Sequence, residues 1–476
     1  MSDLPQIIRL PGAGPVLADL LQAAGPAGSH LFESVTAGGP LSRWSILFSA
    51  ASERLVKKAD DQAAFLPRWQ AAISQRNNGD DWPRRLAEHG LPATFPFVGG
   101  WSFFLAYEMA SENEPTLDLP TFVLGHESGF PLAVAEYHPA ALVRDHKRGE
   151  DVVVHDGSAA GARLAERLLV ARAAAAASGE AESGEIGSVE LATLQAPLGG
   201  LHRERVQRVR DYLFAGDLFQ ANLSHAWQFT LADGLPSSAV YRSLCRRNPA
   251  PFAAWYRQPE GEILSSSPER LLRVADGRAE VRPIAGTRRR DADPARDQAL
   301  VEQLCGHPKE RAEHVMLIDL VRNDLGRVCQ PGTVSVDELM VVESYAHVHH
   351  LVSNIVGQLL AGTSPLAALA ACFPGGSITG CPKVRCMEIL AELEQTGRGP
   401  YTGSLGYLSN HGRLDSNILI RSIFLGPDGR GEFRTGGGIV ADSDPSRELE
   451  ESYHKARGVL DALGGIEALK AGVPLE

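Results

Sequence analysis

The sequence predicts a soluble α/β protein, because strand-like and helix-like patterns alternate in a chain of ordinary globular composition. Of its 476 residues, 44% are hydrophobic and 22% are charged, which is enough apolar material for a sizeable core. No apolar run reaches the ~18 residues that a membrane-spanning helix needs. The first residues also lack the basic and then apolar pattern of a signal peptide, so we expect a cytoplasmic protein.

The first part of the chain predicts an N-terminal α/β region. Its strand-like runs include RWSILFS at 43–49 and FVGGWSFFLAYE at 97–108, which are separated by glycine and proline breaks. Residues 159–177 are rich in alanine, the best helix former. We therefore expect this region to span 1–177 and to end in a helix.

A change of composition follows that helix. The segment 178–188 is polar and rich in glycine and serine, as flexible linkers are. Beyond it, helical patterns such as 202–217 alternate with strand-like runs such as 222–231. The sequence therefore predicts a linker over 178–197 and a catalytic region over 198–465, which holds nearly all of the chemically suggestive residues.

Charge and cysteine spacing exclude several classes of protein. The formal net charge is −12, whereas a nucleic-acid or anionic-membrane surface needs a basic footprint. The six cysteines contain no CxxC pair and no zinc-ligand spacing. We therefore expect no nucleic-acid or membrane partner, and reduced thiols.

Two pairs of glutamates recur with helical spacing. Glu310 and Glu313 share one face of a predicted helix, and Glu448 and Glu451 share one face of another. Carboxylate oxygens are the ligands that Mg²⁺ prefers, so the pairs predict a magnesium site if their helices converge. The alternative is two solvated helix faces, with Glu451 supported by Lys455 one turn further on.

Two glycine-rich segments predict anion binding. FPGGSITGCPK at 373–383 leads into a helix, whose first N–H groups suit a carboxylate or a phosphate. RTGGGIVADSDP at 434–445 predicts a flexible loop whose glycines let the backbone approach a ligand, just before the Glu448 helix. Ordinary structural turns are the alternative for both segments.

Three further segments hold candidate polar groups. Glu269 follows SSSP at a predicted turn, and RPIAGTRRR at 282–290 predicts an exposed loop with basic neighbours. The histidines of SYAHVHHLVSNIVGQL at 344–359 alternate with apolar residues, which is typical of a core or edge strand. An ordinary surface or core residue is the alternative for each of them.

The order of these segments resembles the chorismate-binding family. The matching strings are AGDLFQANLS, SSSPER, RPIAGTRRR, ERAEHVMLIDLVRNDLGR, HHLVSNIVGQL, FPGGSITGCPK, GPYTGSLGY, NILIRS and TGGGIVADSDPSRELEESYHKA. They cover residues 198–463 densely, and HLFES at 30–34 and GGWSFFLAYE at 99–108 extend the resemblance loosely. The resemblance implies an α/β (α+β) fold like that of anthranilate synthase component I, with a large β-sandwich core flanked by helices.

The resemblance also implies a cofactor and a substrate, Mg²⁺ and chorismate. Glu313 and Glu451 match direct metal ligands, and Glu310 and Glu448 match partners that act beside them or through water. The ion would hold the ring carboxylate of chorismate. The implied substrate-binding positions are Gln220, Gly286, Thr287, Thr379, Tyr401, Arg421, Gly436, Gly438 and Lys455.

Catalytic roles are implied in the same way. Glu269 matches the general acid that protonates the departing C4 hydroxyl, and His350 matches a histidine near the ring. Ala285 stands where many aminodeoxychorismate synthases carry a nucleophilic lysine, and alanine cannot form a covalent adduct. Gln220 stands where salicylate and isochorismate synthases carry a lysine that activates water, which argues against those two activities.

Within the family, PGGSITG at 374–380 resembles component I of the aminodeoxychorismate synthases, which aminate chorismate in para-aminobenzoate and folate synthesis. Alanine at position 285 is usual in anthranilate synthases, so anthranilate synthase component I is the main alternative. A non-catalytic regulatory homologue is the third. No cysteine lies in a GxCxG-like elbow, so a separate glutaminase subunit is the expected source of ammonia. HLFES resembles a tryptophan-binding part of the family, and we expect it to be vestigial or merely a strand.

Overall fold

Two antiparallel β-sheets form the centre of the protein, and helices cover their outer faces. The computed structural model describes residues 6–466 apart from 13, 37, 38, 40, 77–80, 178–188 and 346–347. All ladders between the strands named below are antiparallel. This arrangement leaves one face of each sheet for the helices and one for the other sheet.

The first sheet has 12 strands, in the order β1-β8-β7-β3-β2-β11-β12-β21-β22-β10-β18, with β9 pairing β10. Their bounds are β1 Ile7–Pro11, β2 Gly28–Glu33, β3 Trp44–Ser49, β7 Ala140–Asp145, β8 Glu150–His155, β9 Leu191–Gln195, β10 Gln220–Leu231, β11 Phe252–Gln258, β12 Gly261–Ser267, β18 Gly380–Cys381, β21 Ser422–Leu425 and β22 Arg430–Ile439.

The second sheet has 10 strands, in the order β15-β17-β14-β13-β20-β19-β5-β6-β4, with β16 pairing β17. Their bounds are β4 Glu53–Lys57, β5 Gly100–Leu105, β6 Ala133–His138, β13 Arg270–Ala275, β14 Arg278–Arg282, β15 Ile284–Arg289, β16 Ser335–Ser344, β17 Val348–Gln358, β19 Ser404–Ser409 and β20 Leu414–Asn417.

Helices connect the strands and pack on the sheets. Their bounds are α1 Leu17–Ala24, α2 Phe65–Gln75, α3 Trp82–Glu88, α4 Ala110–Asn113, α5 Val123–Ser128, α6 Ala159–Ala177, α7 Gly199–Ala215, α8 Ser237–Arg247, α9 Pro294–Gly306, α10 Pro308–Gly326, α11 Pro365–Cys372, α12 Lys383–Glu394 and α13 Pro445–Ala462. No helix among the described residues is long and apolar enough to cross a bilayer.

Three apolar layers hold the sandwich together. Helices α1, α6, α8 and α13 bury one face of the first sheet, and α2, α10 and α11 bury one face of the second. Between the sheets, Phe104 and Leu405 of the second sheet pack with Tyr256, Ile263 and Phe424 of the first. A strand covered on both faces needs apolar residues at successive positions, which explains continuous runs such as the one in β3.

Both sheets contain strands from both ends of the chain. In the first sheet β2 pairs with β11, with Glu33 opposite Ala253. In the second sheet β5 pairs with β19, with Phe103 opposite Gly406. The predicted N-terminal and catalytic regions are therefore joined by continuous hydrogen-bonded ladders.

Most predicted elements are present at their predicted places. The alanine-rich helix is α6, the 202–217 pattern lies in α7, and the 222–231 run lies in β10. Residues 178–188 of the predicted linker lie outside the described residues, and its part at 191–195 forms β9. HLFES ends β2, as expected for a strand. The six cysteines are free thiols.

Two predictions of local structure are wrong. RPIAGTRRR is not an exposed loop: residues 284–289 form β15, which pairs with β17. The glycines at 436–438 are not a flexible loop but the end of β22, which pairs along its length with β10. At 436–438, pairing with β10 outweighs the low strand propensity of glycine. In β15 the ladder pairs Ala285 and Thr287 with β17, and Gly286 lies at the register shift between them.

Candidate active site

Glu269 lies in the short connection between β12 and β13 and is buried, with 5% of its surface exposed. The Ser377 hydroxyl donates a hydrogen bond of 2.7 Å to its Oε1. Burial raises the pKa of Glu269 to about 7, although Ser377, the Ile284 N–H and the charge of Arg421 act in the opposite direction. A carboxyl with this pKa holds a transferable proton near neutral pH.

Arg421 faces Glu269 from the segment before β21. Burial lowers the pKa of its guanidinium, and the nearby Glu269 opposes that change. Among the residues that the structure describes, Arg421 forms no ion pair within 4.0 Å. Its backbone has a φ of +51°, a value that non-glycine residues rarely adopt. Arg421 is half-buried, and a guanidinium in such a place without a tight partner is suited to an anionic ligand.

His350 and Thr287 lie opposite each other on β17 and β15. The Thr287 Oγ1 and the His350 Nδ1 are 2.9 Å apart. Burial lowers the pKa of His350 to about 3, and the charges of Arg421 and His349 lower it further. The His350 ring is therefore neutral at physiological pH and is fixed by Thr287 beside the Glu269–Arg421 pair.

The β15 strand brings the first acidic helix, α10, to this group. Gly286 has a φ of +71°, and the position that a Cβ would take there lies 2.6 Å from Glu310 Oε2. Glu310 Oε1 forms an ion pair of 2.8 Å with Arg288. Its Oε2 is buried and has no hydrogen-bond partner. Ala285, next in the strand, is buried and carries no reactive group.

The second acidic helix, α13, starts at Pro445 behind an N-cap, because Asp444 Oδ1 accepts hydrogen bonds of 3.0 Å from two backbone N–H groups. Three of its side chains meet over Gly437 of β22. The position that a Cβ would take there is 3.5 Å from Glu448 Oε2, 3.6 Å from Lys455 Nζ and 3.8 Å from Glu451 Oε1.

Lys455 links the helix to the glycine strand. Its Nζ lies 2.8 Å from Glu451 Oε1 and donates a hydrogen bond of 3.1 Å to the Gly436 carbonyl. This i,i+4 pair is the one expected if the carboxylates of α13 form a solvated helix face, which is the alternative to a magnesium site. Both side chains are about half exposed, at 56% and 45%, so the pair is worth little to stability and its groups remain accessible to a ligand.

Gln220 lies between the glycine strand and the 373–383 segment. Its amide packs against Gly438, where any Cβ would collide with Nε2, and its buried Oε1 has no partner. Gln220 also pairs with Cys381 of β18. Thr379 Oγ1 donates to the carbonyls of Gly375 and Gly376 at 3.0 and 3.3 Å, so this hydroxyl proton is used within the segment.

Tyr401 lies on the segment before β19. The Arg398 guanidinium is 5.8 Å from the centre of its ring. Burial raises the pKa of its phenol to about 12, so the hydroxyl is protonated and can donate a hydrogen bond. Tyr401 thus supplies a neutral donor rather than a charge.

The predicted site residues form two groups. One consists of Glu269, Arg421, His350, Thr287 and Glu310, and the other of Gln220, Glu448, Glu451 and Lys455 with the glycine strand. The 373–383 segment joins them, since Ser377 contacts Glu269 and Cys381 pairs with Gln220. The convergence of Glu313 with Glu451 stays a prediction.

The acidic residues suit a hard cation by their chemistry. All four predicted ligands are carboxylates, and the unpartnered buried Oε2 of Glu310 is an oxygen that a metal ion would satisfy. Among the described residues, no three of these glutamates have ligand atoms within 4.8 Å of one another. The described residues contain one group of three metal-binding side chains within 4.8 Å, and it consists of His30, Glu136 and His138.

The sequence did not predict two of the contacts in the site. Ser377 is the hydrogen-bond donor to Glu269, although it is 108 residues away in the chain. Arg288 is the ion-pair partner of Glu310. The arginine run of 282–290 was the available signal for Arg288, because alternate residues of a strand point to opposite faces. No local signal pointed to Ser377.

A cavity between the two sheets lies apart from these residues. It has a volume of about 460 Å³, and its walls include Phe32 and Glu33 of HLFES together with Arg270 and Asp415. Glu269 and Ser377 instead line a much smaller cavity beside α10 and α11.

Comparison with known proteins covers most of the chain. A family model described as chorismate binding enzyme matches residues 33–461. Anthranilate synthase component 1 of Geobacillus stearothermophilus is 38% identical over 410 residues, which cover 82% of this chain and 78% of that protein. Aminodeoxychorismate synthase component 1 of Bacillus subtilis is 44% identical over 260 residues, 55% of each chain.

A further relative, an anthranilate synthase component I-like protein of Synechocystis sp., is 49% identical over 261 residues, or 55% of this chain. That match spans about half of the relative's length, 54%. Among solved structures, anthranilate synthase component I from Streptococcus pneumoniae TIGR4 matches with a TM-score of 0.73 at 28% identity, over 88% of this chain and 92% of that one. The predicted fold class and the predicted resemblance are thereby confirmed, and the chain belongs to the family of chorismate-binding enzymes.

Proposed function

We propose that the protein aminates chorismate at C4, converting chorismate and ammonia to 4-amino-4-deoxychorismate and water. The observation that carries the proposal is Glu269, a buried carboxyl with a pKa of about 7 that faces Arg421 and His350. Such a carboxyl is suited to protonate a poor leaving group. The charged guanidinium beside it is suited to hold a carboxylate of the substrate.

Glu269 acts as the general acid in this proposal. It donates its proton to the C4 hydroxyl, which leaves as water while ammonia forms the new C–N bond. The new C4 ammonium group then loses one proton, and that proton returns the Glu269 carboxylate to its acid form. Because Ala285 cannot act as a nucleophile, the reaction proceeds without a covalent adduct on this chain. Intact-protein mass spectrometry during turnover tests this point. A stable substrate adduct on this chain would contradict it.

The anionic substrate is held by groups of both halves of the site. Arg421 binds one carboxylate as a planar fork, and Tyr401 donates a hydrogen bond to it from a neutral phenol. Lys455 and the backbone of Gly436 and Gly438 bind the other end. Thr287 and the neutral His350 contact the ring edge.

A magnesium ion would be held by Glu313 and Glu451, with Glu310 and Glu448 beside them. When bound, it would neutralise and orient the ring carboxylate as a Lewis acid. The unpartnered Glu310 Oε2 supports this assignment. Arg288 and Lys455 pair with Glu310 and Glu451, so these basic side chains would compete with the ion for the two carboxylates.

Ammonia would come from a glutaminase subunit. Two relatives are named as component 1 enzymes, a name that implies a second component. Gln220 supports an amine rather than water as nucleophile, because its buried Oε1 is an acceptor without a partner and an amide cannot act as a base. Pull-down of the chain with its glutaminase tests this partner. Glutamine-dependent turnover in the absence of any other subunit would contradict it.

Anthranilate synthesis is the second candidate. Ala285 and the names of the Geobacillus and Synechocystis relatives favour it. The two activities differ in product, since anthranilate formation releases pyruvate from the same enzyme. Incubation with chorismate, Mg²⁺ and ammonium should give aminodeoxychorismate, with pyruvate appearing only after a lyase is added. Anthranilate fluorescence and immediate pyruvate release would overturn the first candidate in favour of the second.

A further inference from the structure

The segment that carries Ser377 is held in place from two sides. Ser377 lies in a 3₁₀ turn at Gly376–Ile378. Gly376 packs so closely on Leu320 of α10 that a Cβ would collide with it, and a Cβ on Gly375 would lie 2.7 Å from Ile418. Close backbone approach of this kind requires glycine. The turn is therefore fixed against α10 and against the strand end beside Glu269.

Two polar contacts tighten the same segment. Thr379 Oγ1 donates to the Gly375 and Gly376 carbonyls, which closes the turn on itself. Just after the segment, Lys383 Nζ lies 2.7 Å from Asp324 Oδ2 and anchors the start of α12 to α10. The Ser377 hydroxyl is thus presented to Glu269 by a braced turn rather than by a free loop.

The hydrogen bond to Ser377 makes the two oxygens of Glu269 unequal. Oε1 accepts the Ser377 proton at 2.7 Å, so the proton of the acid form is directed to Oε2. A hydrogen bond donated to a carboxylate also stabilises its ionised form. Ser377 is half-buried and Glu269 is buried.

We propose that Ser377 is a positioning residue for the general acid, holding Oε1 of Glu269 so that the transferred proton leaves from Oε2. The inference rests on the proposed function, because it assumes that Glu269 is the acid. It adds a residue that acts through Glu269 without touching the reacting atoms. It also predicts that the turn sequence, and not only the glutamate, sets the pH range of the reaction.

The test is the pH dependence of kcat in the purified full chain with chorismate, Mg²⁺ and saturating ammonium. In Ser377→Ala the alkaline limb should move up by roughly one pH unit, because a hydrogen bond to a charged group has been removed. kcat on the plateau should fall about tenfold with little change in KM for chorismate, since a mispositioned acid slows the chemical step. The ammonia fraction changes equally for all variants, so the difference between variants reports on Glu269.

Conservative and matched variants complete the design. Ser377→Thr should restore the wild-type limb, and Ser377→Cys, a weak donor, should lie between alanine and wild type. The matched control is Ser111→Ala, which removes a half-buried serine hydroxyl that donates one hydrogen bond of 2.8 Å to the Glu108 carbonyl, away from Glu269. Its profile should superimpose on that of the wild type.

Failure of this inference is separable from failure of the proposed function. If Glu269→Gln loses activity but the limb is unmoved in both Ser377→Ala and Ser377→Cys, the role of Ser377 is overturned and that of Glu269 stands. If Glu269→Gln keeps the wild-type kcat, the proposed general acid is wrong and the role of Ser377 falls with it.

Discussion

Two buried glutamates of the same sandwich, Glu136 and Glu269, have opposite proton affinities. Burial alone would raise the pKa of Glu136, but the neighbouring charge and hydrogen bond of His30, with His138 and Gln258, lower it to about 2. Burial raises the pKa of Glu269 to about 7, and its weaker hydrogen-bond partners leave that rise in place. Depth in the core is similar, at 6% and 5% exposure, so the partners decide the difference.

The group of His30, Glu136 and His138 also shows why a cluster of metal-binding side chains need not be a metal site. His30 Nε2 forms a short hydrogen bond with Glu136 Oε2, and the Arg257 N–H lies 3.2 Å from His30 Nδ1. His138 Nδ1 faces the Ser49 carbonyl at 2.7 Å, and its Nε2 is 2.7 Å from the Ser102 hydroxyl. The ring nitrogens are therefore engaged within the protein, whereas Glu310 keeps an unpartnered oxygen.

The largest expected effect is on turnover in Glu269→Gln. Removing the proton of a general acid typically costs about 10²–10⁴-fold in rate, while the neutral amide fits a site that already favours the neutral acid. We expect kcat to fall in that range and the free energy of unfolding to be nearly unchanged. Steady-state kinetics and urea unfolding measure the two quantities. A strong loss of stability would mean that Glu269 is a structural group like Glu136.

The same substitution at Glu136 should lower the stability of the fold and leave turnover nearly unchanged. Glu136→Gln removes a charge that His30 and Arg54 face, so we expect the free energy of unfolding to fall by about 1–3 kcal/mol. kcat should stay within a factor of about two. Urea unfolding of this variant beside Glu269→Gln is the matched comparison. Equal stability losses in both variants would remove the distinction between the two glutamates.

The pH dependence should separate the two groups within one protein. Because Glu269 must be protonated, kcat should fall about tenfold per pH unit above pH ~7. The lowered pKa of Glu136 stabilises the fold above its ordinary value of 4.5, and that contribution is lost as pH falls from 4.5 towards about 2. The histidines with lowered pKa add to the loss of stability in acid.

Comparison of the wild type with Glu136→Gln isolates the Glu136 contribution. The difference in the free energy of unfolding between the two proteins should shrink below pH 4.5 and vanish near pH 2. A difference that stays constant across this range would show that Glu136 has an ordinary pKa in the folded protein.

A third glutamate, Glu451 of α13, is half exposed, and we expect its substitution to change the dependence of activity on Mg²⁺ rather than on pH. Glu451→Gln should raise the Mg²⁺ concentration for half-maximal activity by several-fold up to about tenfold, because one charged ligand is lost. The control is Glu450→Gln, an exposed neighbour on the same helix, which should leave the Mg²⁺ titration unchanged. Equal titrations for both variants would contradict the metal assignment.

The periodicity of the sequence was enough to predict the two helices of the site, α10 and α13. The spacing of Glu310 with Glu313, and of Glu448 with Glu451 and Lys455, correctly predicted two helices that each present one acidic face. The Lys455–Glu451 pair, which belongs to the alternative of a solvated helix face, is local in the chain, and one helical turn determines it. The burial of each carboxylate did not follow, since it depends on strands that are distant in sequence.

The strand half of the site was harder to predict. Gly286 and the glycines at 436–438 favour loops by their local preference. In the structure Gly286 lies at a register shift within the β15–β17 ladder, and the other three glycines pair with β10. The depth of Glu269 and its bond to Ser377 depend on packing between segments 108 residues apart. Only the resemblance to a family linked these residues before the structure did.

The shared sheets have a consequence for how the chain reaches its native state. Glu33 pairs with Ala253 and Phe103 pairs with Gly406, contacts that span more than 200 and more than 300 residues. During synthesis, β2 and β5 emerge from the ribosome long before the strands that will lie beside them. Neither sheet can be completed until most of the polypeptide exists, and such long-range pairing slows folding because a large loop must first be closed.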